Sequence, residues 1–184
     1  MKKFIALILA AAALLAFCAC EGSSSRPAVS KDGYKAMLDI ALKLVTDFTE
    51  EDFAKVLPPS AIEYNKEEYA KRDKDYIELV KQDYAATAAS YSEAYGSDWK
   101  LSYVINSADE KDAEGIEKYK KFDDFYFRTY NVDQDRITAV TFVKVTVKVE
   151  GSKGSNTKDK TIQCFCYDGA WYSLYAVRLG LKLA

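Results

Sequence analysis

The sequence predicts an α+β fold in which N-terminal helices pack on a curved, mainly antiparallel sheet. Three observations carry this expectation. Apolar residues recur at helical spacing in the first half of the chain, and they alternate at strand spacing in the last third. Turn residues, Gly151 to Asn156 and Asp168-Gly169, then divide that last third into hairpin-linked strands.

The elements follow in order. Met37, Leu38, Ala41, Leu42, Leu44, Val45 and Phe48 place a helix over residues 34–48. Thr49 precedes Glu50, Glu51 and Asp52, acids that suit the positive end of a helix, so a short helix runs to Val56 and stops at Leu57-Pro58-Pro59. Ser60 and Glu63 match a capping box that opens the next helix. From there to Tyr95 no Gly or Pro intervenes, and one helix would be about 50 Å long at about 1.5 Å per residue. A break is therefore expected at 72–75, with Asp75 capping the restart. Tyr69, Tyr76, Val80, Tyr84, Tyr91 and Tyr95 fall near one stripe that reads as core, and Ala85, Ala86, Ala88 and Ala89 leave room for a close neighbour.

Gly96-Ser97-Asp98 ends this helical region. Trp99, Leu101, Tyr103 and Ile105 alternate with Lys100, Ser102, Val104 and Asn106, which predicts a strand to Asn106, followed by a polar loop over 106–112. Ile116, Tyr119, Phe122, Phe125 and Tyr126 mark an amphipathic helix over 113–127. Val143, Val145, Val147 and Val149 share one face of a strand over 136–150, with Lys144, Thr146 and Lys148 on the other. Residues 151–156 form a loose hairpin loop, 157–167 return as a strand, and 171–179 form the last strand.

The N-terminus reads as a secretory signal. Lys2 and Lys3 precede an unbroken apolar run from Phe4 to Phe17, and polar Glu21-Gly22-Ser23-Ser24-Ser25 follows the cysteines. A cysteine closing such a run resembles the lipobox of bacterial lipoproteins, which places Leu, a small residue, then Gly or Ala before the lipidated Cys. Cys20 has small Ala19 at the scissile bond but Phe17 where Leu is usual. Cys18, the runner-up, has Leu15 and Ala16 but bulky Phe17 at that bond. The resemblance implies cleavage before Cys20 and a lipid anchor on it. The protein would then sit on the extracytoplasmic side of the cell membrane, anchored to it rather than spanning it. The chain divides into a signal peptide over 1–19, a Ser-rich tether over 20–31 and one α+β domain over 32–184.

Cleavage removes Lys2 and Lys3, leaving 24 basic against 28 acidic side chains, a formal charge of −4. With no basic excess, nucleic acid is not an expected partner. Histidine is absent, which removes His-based triads, His-ligated zinc and imidazole switches. Acid–base chemistry would fall to Asp, Glu, Tyr or Lys. The chain holds 14 Tyr, 9 Phe and 2 Trp, which supply a Tyr-rich core or an aromatic-lined cleft.

Tyr167-Asp168-Gly169-Ala170-Trp171-Tyr172 resembles the D-G-x-W hairpin of small NTF2-like lipoproteins. The order of elements over residues 30–180 is similar to the NTF2-like (cystatin-like) fold, where a curved sheet wraps helices into a cone. That resemblance implies a pocket inside the cone, used for isomerisation or dehydration in some members and for binding alone in others. A steroid-isomerase-like site would need an Asp base and a Tyr donor in a dry cavity, and no residue here is assigned to one.

Cys164 and Cys166 lie two apart on a strand, so both thiols share a face, with Cα atoms about 6.6 Å apart. Core packing, a strained disulfide and a metal site are all open to such a pair. Asp109-Glu110-Lys111-Asp112 and Asp123-Asp124 lack the spacing of a calcium loop and read as solvated charge, as does the stretch 66–74. No cofactor or metal ligand set is expected. The leading expectation is a lipid-anchored binding or interaction module whose partner is an envelope protein or a small apolar ligand. The alternative is an NTF2-like isomerase or hydro-lyase with an Asp/Tyr site in the cone.

Overall fold

The computed structural model describes residues 30, 32–181 and 183. Residues 1–29 lie outside the described residues, and with them the signal peptide, Cys18, Cys20 and nearly all of the tether. The architecture is α+β. Four helices, α1 (Gly33–Lys43), α2 (Glu50–Phe53), α3 (Pro59–Ala70) and α4 (Tyr76–Tyr95), precede strand β1 (Lys100–Glu110). Helices α5 (Ala113–Phe122) and α6 (Asp124–Thr129) then lead to β2 (Ile137–Gly151), β3 (Gly154–Tyr167) and β4 (Ala170–Tyr172). The strands form an open antiparallel sheet in the order β1-β2-β3-β4. Among the described residues no helix is long and apolar enough to cross a membrane.

The period-2 pattern of β2 divides the sheet into two faces. Val143, Val145, Val147 and Val149 turn one way, together with Ile162, Cys164 and Cys166 of β3. Leu38, Leu44, Phe53, Val56, Tyr84 and Tyr91 from the N-terminal helices belong to the same core. Each fully buried side chain of this size is worth about 1.5–3 kcal/mol. On the other face Val140 and Phe165 pack with Tyr119 of α5, Phe127 of α6 and Val132 in a second, smaller core. The sheet is thus covered on one side by α1–α4 and only at one end of the other by α5 and α6.

Local chemistry explains where the elements depart from expectation. Thr49 caps α2, its hydroxyl accepting from the Asp52 amide (3.1 Å). Ser60 does not cap α3. Pro59 opens that helix with its fixed φ, which places Ser60 within the first turn, and its Oγ is buried without a partner. The expected break between α3 and α4 is present: Asp73 adopts φ 54°, and Asp75 Oδ1 accepts from the amides of Ile77 and Glu78. Tyr84, Tyr91 and Tyr95 are buried as expected, but Ala85, Ala86 and Ala89 are exposed.

Strand β1 runs four residues further than the alternation suggests. A bulge between Ile105 and Ser107 restores its register with β2. The helix expected over 113–127 is split at Asp123, whose φ and ψ of −96° and 11° end α5 and start α6. The β2–β3 connection is tighter than a loose loop, because Gly151 pairs with Gly154 and leaves only Ser152-Lys153 between them. Asp168 (φ 53°) and Gly169 (φ 83°) make the tight turn before β4. That strand ends at Tyr172, far short of 179. The Ser173 hydroxyl accepts from the amides of Tyr175 and Ala176, which bends the chain into a 3₁₀ turn over Ala176–Arg178.

Candidate functional site

The space between the N-terminal helices and the sheet, where a cone pocket would lie, is filled by the buried valines and cysteines facing Leu38, Phe53 and Tyr84. A groove lies on the opposite face, with a volume of about 630 Å³. Its floor is a row of three residues on adjacent strands: Asp109 pairs with Phe142, and Phe142 pairs with Gln163. Directly paired residues of an antiparallel sheet turn to the same face, so the row is fixed by register. One wall is α5, which contributes Glu114, Gly115, Lys118, Tyr119 and Phe122. The turn from β1 to α5 closes one end with Glu110, Lys111 and Asp112.

The sequence builds this wall simply. Asp112 caps α5, accepting from the Gly115 amide (2.8 Å). Helical spacing then sets Tyr119 into the second core, while Phe122 stands at the lip with 74% of its surface exposed. Lys111 extends over the Phe142 ring, its ammonium 4.4 Å from the centroid and paired with Asp109. Gly115 leaves room for that stem, since a Cβ there would lie 3.0 Å from Lys111 Cβ. Gln163 Oε1 is buried with no hydrogen-bond partner.

Behind the wall lies a buried polar cluster. The Tyr175 hydroxyl donates to Asp123 Oδ1 (3.0 Å). Asp123 Oδ2 and the Tyr119 hydroxyl are both buried without a hydrogen bond of good geometry. They are close enough to affect each other: burial first, and then the Asp123 carboxyl, push the Tyr119 hydroxyl up. Burial likewise raises the Asp123 carboxyl above its ordinary value, against the opposing effect of its tyrosine neighbours. Asp123 is therefore not solvated charge, as Asp123-Asp124 suggests in sequence; the helix junction draws it inside. Asp124 stays at the surface and pairs with Arg128.

The other candidates resolve as follows. Cys164 and Cys166 are free and fully buried in the main core, and burial pushes the Cys164 thiol up to about 12. Among the described residues no group of acidic or cysteine side chains is placed to hold a metal. Lys66 and Lys71 make ion pairs with Glu50 and Glu68 at the surface, as a solvated face would. Asp109 to Asp112, expected in a polar loop, instead form the end of β1 and the mouth of the groove. Phe142 and Gln163 were not among the sequence candidates. One signal for Phe142 was present: it is a large apolar residue at the parity of Lys144 and Thr146, the polar side of its strand.

Comparison with protein-family models, with curated proteins and with solved structures finds no match.

Proposed function

We propose that this chain is a lipid-anchored, extracytoplasmic binding module that takes a small, partly apolar ligand in the groove between α5 and the outer face of the sheet. The observation that carries this reading is the open groove itself, with the half-buried Phe142 ring in its floor and the exposed Phe122 ring at its lip. A volume of about 630 Å³ suits a small organic molecule. The element order and the Asp168-Gly169 hairpin support kinship with the NTF2-like (cystatin-like) fold, with the ligand site on the face opposite the N-terminal helices.

The anchor has its own test. Labelled fatty acid enters the wild-type chain and Cys18→Ser but not Cys20→Ser. Label that persists in Cys20→Ser and vanishes in Cys18→Ser moves the anchor to Cys18. For the groove, the full chain is purified from its own membrane and its bound small molecules are identified by mass spectrometry, beside Phe122→Ser. Phe122 is exposed at the lip, so Ser there leaves both cores intact. The variant keeps its stability and loses the bound molecule. A molecule retained equally by both would place the ligand elsewhere.

A second reading, an isomerase or hydro-lyase, draws on the buried Asp123 carboxyl beside Tyr119 and Tyr175. Against it stands the position of Asp123, which does not line the groove.

A further inference from the structure

We infer that the ligand of this groove carries a cationic ammonium head on an aromatic or other apolar body, an inference that rests on the groove being the binding site. The first ground is charge. Three carboxylates, those of Asp109, Asp112 and Glu114, line it against two ammonium groups, those of Lys111 and Lys118. An anionic ligand would enter against that excess, whereas a cation is drawn in by it.

The second ground is the behaviour of the chain's own cation. Lys111 lays its ammonium over the face of Phe142 while pairing with Asp109, so one ring and one carboxylate already form a seat for a positive charge. The occupant is a long, flexible side chain of a residue at the groove mouth, with 23% of its side chain exposed. It can leave the ring without disturbing the backbone, and an incoming ammonium takes its place. Lys111 is thus a built-in competitor for the seat rather than a partner of the ligand.

The third ground is the aromatic and apolar surface of the groove. Gln163 stands next to Phe142 across the sheet and lines the same groove. An ammonium brings its positive charge to the Phe142 ring. A carboxylate brings the wrong sign. The exposed Phe122 at the lip then covers the apolar body of the ligand.

The test uses the isotopically labelled full chain and three probes of one shape: phenethylamine, the neutral 2-phenylethanol and the anionic 3-phenylpropionate. Binding is followed by NMR shifts of the Gln163 side-chain amide and of the Gly115 and Lys111 backbone amides. The amine binds tightest, the alcohol less and the carboxylate least. Lys111→Gln vacates the seat and tightens amine binding by roughly three- to tenfold. Phe142→Leu abolishes the preference of amine over alcohol while leaving the alcohol bound. If the alcohol or the carboxylate shifts these resonances at equal or lower concentration than the amine, or if Lys111→Gln weakens amine binding, the cationic class is wrong while the groove remains a binding site. If none of the three probes shifts them, the groove reading falls and this inference with it.

Discussion

Asp123→Asn tests the physical description of the α5–α6 junction. The Asp123 carboxyl is 1% exposed, with one oxygen bonded to Tyr175 and the other facing the equally unpartnered Tyr119 hydroxyl. A charge in that position lacks the full set of donors that would offset its desolvation. Asn keeps the shape and an acceptor for Tyr175, and it offers an N–H to the Tyr119 oxygen. Weakening the Tyr175 bond from charge-assisted to neutral costs about 1 kcal/mol. Satisfying Tyr119 returns about 1 kcal/mol, and removing the buried charge returns about 1 kcal/mol more. The net expectation at pH 8 is a gain of about 1 kcal/mol, or about 2–4 °C in Tm for a domain of this size.

The pH dependence has a definite sign. An unfolded aspartate gives up its proton near 3.8, whereas burial makes the folded state hold it to higher pH. In the window above 3.8 the folded state therefore binds more protons than the unfolded one, so stability falls as pH rises through it. Asn has no such slope. Thermal melts followed by circular dichroism at pH 5 and pH 8 show an advantage of Asp123→Asn that grows with pH. A variant that melts about 2 °C or more below wild type at pH 8 would mean that the ionised carboxylate is required there, and the reasoning would be refuted.

Three further perturbations have defined outcomes. Gly151→Ala drives a Cβ into the main-chain carbonyl of Tyr95, which also accepts from the Lys153 amide, and costs at least about 2 kcal/mol by urea unfolding. The Lys160 ammonium donates to the carbonyls of Arg178, Leu179 and Leu181, so Lys160→Met costs about 2 kcal/mol in the same assay. Burial, with a smaller effect of Lys158, draws Lys160 down to about 8 from 10.5, so between those values the unfolded state binds more protons, and the stability of wild type relative to Lys160→Met rises from pH 8 to 10.5. Cys164 and Cys166 resist alkylation at pH 8 in the folded chain and react at the rate of unfolding; rapid labelling of both thiols in the native protein contradicts their burial.

Much of the fold was legible because local signals were strong and unopposed. The four alternating valines of β2, the acidic start of α2, the Asp75 cap and the Asp168-Gly169 turn each have one stable solution, and the structure adopts it. The misplaced boundaries share a cause, which is a local device stronger than periodicity. Pro59 pre-empts the Ser60 cap, Ser173 folds its hydroxyl back onto the chain and ends β4, and a bulge at Asn106 carries β1 through a stretch that reads as loop. The groove was less legible because it is made by register. Asp109, Phe142 and Gln163 lie 33 and 21 residues apart and meet only once three strands are aligned. Phe142 on the polar parity of its strand was the visible clue. Nothing in the sequence distinguishes the buried Asp123 from its surface neighbour Asp124, since only the split between α5 and α6 decides which one turns inward.

The most direct test of the groove as a binding site is a crystal structure of the full chain purified from the cells that make it. Electron density for a small molecule then appears over the Phe142 ring, with the Lys111 ammonium displaced from the ring. A groove holding only water, with Lys111 still seated on Phe142, would contradict the binding role.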